Sequence, residues 1–535
     1  MIPAVEIRRA ESIIDRSGLV DELEALLRPV DPVSGRHIGR PRDISVRTFL
    51  VGVLLTAGHG KNLHLRQVHR NLTRDISRTQ QARLGVRFER RGERLGSHKR
   101  VLTYNHFSRL LCAITRKVTA TVDAEGDDAS AAYLQSIIDR LIAASIAAGP
   151  APSGHWAIDG SGVDTWANGL KSEKRRADRD AQWGYRTPTP QKSMSDKFFG
   201  YDLYGLTTVP LQRGDGSDHP NLIGRIVVRP AASDDAEASL TGIDSLLASG
   251  EPVERVLVDR GISYKADEKW ASQLRDRGIE QTLDMHASEH GRLDYDGIAM
   301  IDGSPHCPCI PETLVYIKRP ERLSVPTEPD DNPELEEFRD AMDERGHFAM
   351  RRTAGWTTKK RTGERVERFE CPAEAGYLRC PLKPASMLFP DDIPLNLHPP
   401  DPASAPKCCT QRTIELPEAA QGKLRQTHRW GSDSWIKDYT RRTYVEGSFG
   451  ELRNPALGAL ARGKFCIIGL IKVTLMLAAL AAASNARRIT TWATNQQVIS
   501  DDPALAPVTD DDWAFEELGP DLNTGTDPPP ATAPI

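Results

Sequence analysis

Apolar positions recur at helical spacing early in the chain: Val46, Phe49, Leu50, Val53 and Leu54, then Leu65, Val68 and Leu72. This spacing predicts a helical region over residues 1–120. Residues 127–148 read as a connecting helix, which Gly149-Pro150-Ala151-Pro152 closes as a linker over 121–152. The period then changes. Residues 155–159 predict a short strand, 198–209 a longer one with Gly205 marking a bulge or bend, and 225–229 a third. A helix at 234–248, a strand at 253–259, a helix at 266–277 and a strand at 279–285 follow. Three strands in succession and then helix–strand alternation predict an α/β mixed sheet with flanking helices, beginning at 153–286.

After Met285 the regularity is lost for roughly 145 residues, with acidic or Pro-rich stretches at 326–337 and 389–406. A structureless loop of that length is improbable inside a compact domain, so 287–430 is expected to be an inserted subdomain. Helical pattern resumes at Trp435 and completes the core over 431–495. Residues 465–483 are apolar but hold Lys472 and many alanines, which fits a buried packing helix better than a membrane span. From Asp501 the chain has nine acidic residues, no basic ones and Pro528-Pro529-Pro530. The region 496–535 is therefore expected to be a disordered acidic tail.

Composition adds little until charge is mapped. With 39% hydrophobic and 27% charged residues in 535, the chain reads as soluble and globular, and its net charge of -4 alone argues against a nucleic-acid partner. The distribution reverses that. Between Lys61 and Lys117 fifteen basic residues face only Asp75, Glu89 and Glu93, a basic helical face suited to phosphate contacts. Arg70 and Arg83 lie on it. Residues 77–86, with Gln80, Gln81 and Arg83, fit a helix-turn-helix recognition helix, against the alternative of a solvated surface. No secretory pattern opens the chain, so a cytoplasmic, nucleoid-associated location without membrane contact is expected. Cys307, Cys309, Cys371, Cys380, Cys408 and Cys409 cluster in the insertion without a regular Cys-x2-Cys pair. They are candidate ligands for a structural Zn²⁺, against the alternative of reduced, packed thiols.

Three carboxylates stand out by position. Asp159 and Asp259 each follow an apolar strand, at the edge where open α/β sheets gather ligands. Glu446 lies on the helix after the insertion. Together they suggest a Mg²⁺ site, because this ion takes a few carboxylate oxygens and substrate phosphates. At 100° per residue, Tyr439, Arg442, Glu446 and Arg453 fall in one narrow arc of a helix, presenting a phenol, two guanidiniums and a carboxylate. Arg clamps phosphate oxygens in a bidentate way. Gly447 and Gly450 weaken that helix but would admit a closely approaching backbone or DNA strand. Trp430 and Trp435 fit core packing better than stacking on an unpaired base.

These residues resemble the DDE transposases of bacterial insertion sequences, in the subgroup with a Tyr-x2-Arg-x3-Glu-x6-Lys motif and a large insertion before the catalytic helix. Tyr439, Arg442 and Glu446 fit the motif, and Arg453 stands where Lys is usual; Asp259 sits in the Asp-Arg-Gly context common in the family. The resemblance covers about 155–488. It implies a ribonuclease H-like fold, an endonuclease and polynucleotidyl transferase activity, and two Mg²⁺ (or Mn²⁺) held by Asp159, Asp259 and Glu446. It further implies double-stranded DNA as partner (element ends and target), a homodimer on DNA, and phosphate contacts from Tyr439, Arg442 and Arg453. The basic run with Lys171, Lys174, Arg175, Arg176 and Arg179 after the first strand fits a DNA-channel wall. Alternatives are a catalytically inactive repressor that binds element ends and a ribonuclease H-like nuclease without strand transfer.

Overall fold

The computed structural model describes all residues except 39–41, 61, 87–101, 124–126, 171, 187–195, 213–218, 321–332, 459, 462, 510–511 and 513–535. Its centre is a mixed, curled sheet of β1 (His155–Asp164), β2 (Gln182–Tyr185), β3 (Lys197–Thr208), β4 (Ile223–Pro230), β5 (Arg255–Val258) and β6 (Glu280–Leu283). The order is β2-β3-β1-β5-β6. β1 runs antiparallel to β3, whereas β5 and β6 run parallel to β1. β4 and β2 share the far edge of β3 in tandem.

Side chains alternate across this sheet, as a period of two requires. Trp156, Ile158, Val256 and Val258 enter one apolar core, and Ala157 and Leu257 the other. The first core receives α8 (Asp235–Ala248) and α9 (Ala271–Asp276). On the second face α7 (Asp127–Ile146) meets β4, and behind it α1 (Ala4–Arg16), α2 (Leu19–Leu27), α3 (Val46–Gly58), α4 (Leu65–Arg70) and α6 (Tyr104–Asp123) join the same apolar core, with the short α5 (Arg78–Arg83) beside them. The N-terminal helices thus share a continuous core with the sheet.

The insertion contains an antiparallel sheet of β7 (Arg292–Tyr295), β8 (Ile298–Ile301) and β9 (Ser304–His306), then α10 (Pro333–Gly346). A second sheet pairs β10 (Arg351–Thr358), β11 (Arg365–Glu370) and β12 (Thr413–Pro417), with α11 (Lys407–Thr410) before β12. The chain leaves and re-enters the core at one place. Leu283 N donates to Gln426 Oε1 at 2.9 Å, Trp435 Nε1 to Leu283 O at 3.2 Å, and Trp430 Nε1 to Asp284 Oδ1 at 2.9 Å. Both tryptophans are buried, so they belong to the core. The last helices are α12 (Asp433–Tyr439), α13 (Thr443–Arg453) and α14 (Leu470–Asn495). α14 is long and apolar enough to cross a membrane, and 72% of its most apolar window is buried against the protein.

Four expectations change. β1 does not stop at Asp159 but runs to Asp164, because Gly160-Ser161-Gly162 stay paired to β3. The irregularity in β3 falls between Leu206 and Thr207, not at Gly205. Gly205 instead makes room for α13: a Cβ there would lie 3.1 Å from the Phe449 ring. The helix at 266–277 divides into a 3-10 turn, Asp267–Lys269, and α9. The expected disordered tail begins as an ordered strap on α1, where Arg16 pairs with Asp502 at 2.8 Å and Arg8 with Asp512 at 3.3 Å, while Arg9 donates to Pro503 O at 3.4 Å. These local arginines neutralise acids that composition alone treats as solvated. The remainder of the tail lies outside the described residues.

Candidate active site

Strand register brings the first two acids together. The parallel β1–β5 ladder pairs Ala157 with Leu257, and Asp159 and Asp259 stand two residues beyond that pair on adjacent chains. Asp159 has the parity of Ala157, so its side chain leaves the sheet on the face that carries α13, while Asp259 directly follows β5 and lines one cavity with Asp159. Asp159 Oδ1 accepts from Gly160 N–H at 2.8 Å, and Asp259 Oδ1 from Arg260 N–H at 2.6 Å. α13 turns Val445, Phe449 and Leu452 into the core, which leaves Glu446 outward over the strand ends.

Arg442 joins the acids. Its Nη1 reaches Asp159 Oδ2 at 3.4 Å and its Nη2 bonds Glu446 Oε1. Burial, reinforced by the charges of Asp259 and Glu446, pushes the Asp159 carboxyl up to about 6, although Arg442 and the Gly160 amide oppose the shift. Tyr439 lies beneath the guanidinium, 5.8 Å from ring centre to Cζ, and stacks on Trp435 at 4.8 Å. Burial raises the Tyr439 phenol well above its ordinary range. The helix expected to run unbroken through Tyr439 and Arg453 is interrupted by a 3-10 turn, Thr440–Arg442. The turn does not separate the residues. Arg453 reaches back to β1, donating to Ser161 Oγ and to Gly162 O, the latter at 3.3 Å. Gly447 and Gly450 face open space, with nothing within 4 Å of an added Cβ.

No family model, curated protein or solved structure matches the chain.

The cleft also contains residues that sequence reasoning missed. A cavity of about 230 Å³ is lined by Asp159 and Asp259 together with Ser161, Arg186, Asp202 and Asp235. Asp202 had a signal: it is an acid inside an otherwise apolar strand. Arg186 had none, since it follows a strand of only four residues and is held at the site by Gly162 O, at 3.1 Å, and Asp164 Oδ2, at 2.6 Å.

The remaining candidates divide. Lys174 and Arg175 are exposed on a 3-10 turn, Glu173–Arg175. Arg176 is instead held inward, with Nε donating to Leu170 O at 2.8 Å and its guanidinium 5.3 Å from the Phe199 ring centre. It braces the loop. Arg70 is exposed and 3.9 Å from Asp75, and Arg83 pairs with Glu11. α5 is only six residues long and Gln80 and Gln81 are buried, so they do not face outward to read bases; Ser77 caps the helix at Gln80 N. Lys61, Arg87, Arg90, Arg91, Arg94, Lys99, Arg100 and Lys171 lie outside the described residues.

All eight cysteines are free thiols. Cys408 Sγ is 3.9 Å from Cys409 Sγ, Cys307 hydrogen-bonds with Cys309, and Asn396 Nδ2 donates to Cys380 Sγ at 3.6 Å. Cys371 is buried nearby, its thiol pushed up by burial. Among the described residues, no group of three or more His, Cys, Asp or Glu side chains is arranged as a metal cage, in the insertion or in the cleft.

Proposed function

We propose that the protein is a DNA transposase of the DDE type, with a ribonuclease H-like catalytic core that cuts DNA at element ends and joins the released 3′-hydroxyl to target DNA. The observation that carries this reading is that Asp159 and Glu446 meet on Arg442 while Asp259 lines one cavity with Asp159, from positions 100 and 187 residues apart in sequence.

The donor set suits Mg²⁺. It consists of hard carboxylate oxygens, and Asp159 and Glu446 share the single guanidinium of Arg442 with Asp259 close by, an excess of negative charge that a divalent cation would relieve. Asp159, Asp259 and Glu446 would hold two such ions, which supply charge stabilisation to the attacking and leaving oxygens of an in-line phosphoryl transfer. Arg442 exchanges a carboxylate partner for a non-bridging phosphate oxygen, and Tyr439 fixes its plane from below. Arg453, tethered to Ser161 and Gly162, grips a flanking phosphate. Lys174, Arg175 and Arg70 add sequence-independent attraction for the duplex. Mechanistic economy follows, since no protein nucleophile is required.

The test is Mg²⁺-dependent nicking and joining of DNA carrying the sequences that flank the reading frame. Asp159→Asn, Asp259→Asn and Glu446→Gln are each expected to abolish both steps while DNA binding survives. Full cleavage by any of them removes that residue from the site. DNA binding without cleavage by the unaltered protein would favour the repressor reading, and cleavage without joining of a pre-cut end the nuclease reading.

A further inference from the structure

Beside the cleft, β2 presents an aromatic and cationic edge that the proposed chemistry does not use. Trp183 and Tyr185 are 36% and 39% exposed, although large aromatic side chains are ordinarily buried. They alternate with buried Gly184, so both rings stand on one face of the strand, roughly 6.7 Å apart along it. Lys197, paired with Tyr185 across the β2–β3 ladder, places its ammonium 4.6 Å from the Trp183 ring centre and 6.0 Å from that of Tyr185. Trp183 is braced from behind by Gly169 and Phe199, the latter with ring centres 5.3 Å apart. A braced ring costs little further entropy when a ligand stacks on it.

The row leads into the acids. Tyr185 and Arg186 line the same cavity as Asp159 and Asp259. Arg186 Nη1 and Arg453 Nη2 donate to a single acceptor, Gly162 O, at 3.1 and 3.3 Å. Asp164 pairs with Arg186 at 2.6 Å, whereas among the described residues no carboxylate is bonded to Arg453, so the two guanidiniums keep one positive charge in excess that an anion between them would meet. From this arrangement we infer that the β2 edge is a docking platform for single-stranded DNA, with two successive unpaired bases on Trp183 and Tyr185 and the phosphate nearest the cleft between Arg186 and Arg453.

The reasons are charge and shape. Aromatic faces stack on any unpaired base, whereas a duplex hides its bases and offers phosphates alone. The rings and cations together therefore fit a strand that has left its partner. This inference rests on the proposed function: it assigns to that same cleft a substrate with a frayed or already cut end, not an intact duplex.

The platform is tested by fluorescence anisotropy of a labelled twelve-residue oligo(dT) and of a blunt duplex, without divalent metal, on the full chain. Trp183→Ala and Tyr185→Ala are each expected to weaken oligo(dT) binding about 5- to 150-fold, the usual worth of one stacked base. Duplex affinity should change less than about threefold, and Trp183→Phe should retain most oligo(dT) affinity. Arg186→Gln should lower the salt dependence of oligo(dT) binding by about one counterion. Trp183 is partly packed, so if its alanine variant fails to fold, Tyr185→Ala decides. Unchanged oligo(dT) affinity in the folded variants, or equal losses for oligo(dT) and duplex, overturns the inference. Nicking that persists in Asp159→Asn would instead defeat the catalytic reading and leave the oligo(dT) result standing.

Discussion

Arg442 in the cleft and Arg425 in the insertion are both largely buried beside carboxylates, yet they are built differently. Arg425 donates to Glu367 at 3.1 Å, to Leu416 O at 3.1 Å and to Pro417 O at 2.6 Å, and its Nε to Ala420 O at 3.1 Å. The Trp356 and Phe369 rings flank it at 4.9 and 5.8 Å. Arg345 is similar, with Leu314 O, Asp302 and Val315 O each at 2.7 Å. Among the described residues Arg442 has no such carbonyl cradle. Its partners are two acids, one at 3.4 Å and the other with a half-exposed side chain. A guanidinium saturated by backbone carbonyls holds a fold together, whereas one shared between two carboxylates, one of them half-exposed, is free to change partners.

Mutation separates the two kinds of arginine. The largest expected effect is on chemistry: Asp159→Asn should reduce Mg²⁺-dependent nicking by at least roughly 10²- to 10³-fold, measured in single-turnover assays. Arg425→Ala or Arg345→Ala should cost about 3–5 kcal/mol in denaturant unfolding, because each strips a buried cation from a buried carboxylate, leaving Glu367 with Arg352 alone and Asp302 with His290 and the Gly291 amide. Arg442→Gln should cost less, about 1–2 kcal/mol in the same measurement, because half-exposed Glu446 takes up water in its place. A loss for Arg442→Gln as large as that for Arg425→Ala would erase the contrast.

Acid–base behaviour sharpens it further. The Asp159 carboxyl is raised to about 6, so the folded state holds that proton more tightly than the unfolded chain. The associated stability is complete below the ordinary carboxylate range and is lost as pH rises through about 6. Asp159→Asn should therefore be more stable than the unaltered protein at pH 8, on the order of 2 kcal/mol, with the gain gone by pH 4 in thermal unfolding. Mg²⁺ affinity should fall about tenfold per pH unit below about 6, as protons compete for the same oxygen, which titration calorimetry measures. The smallest effect belongs to the surface: Lys174→Ala or Arg175→Ala should lower the salt slope of DNA binding by about one, without altering nicking at saturating DNA.

The two regions also differed in how far their sequence betrayed them. The acids at the strand ends were legible because 156–158 and 256–258 are short apolar runs and each is followed by an aspartate. Register then did the rest. The extension of β1 through Gly160-Ser161-Gly162 was not, since that composition reads as a turn and only pairing with β3 keeps it straight. The insertion was legible as a unit and illegible inside. Its strands, such as Arg-Val-Glu-Arg-Phe-Glu in β11, are rich in charge, and their burial depends on partners such as Arg425 that arrive from more than fifty residues away. The aromatic edge on β2 was missed because four residues give too short a pattern to separate an exposed strand from a loop.

The stem of the insertion carries a broader implication. Because Leu283 is hydrogen-bonded both to Gln426 and to Trp435, everything between departs from and returns to one knot on the sheet. Closing such a loop becomes only slightly more expensive as it lengthens. Whole modules can therefore be exchanged or enlarged there over evolutionary time while the register that juxtaposes Asp159 with Asp259 is left untouched.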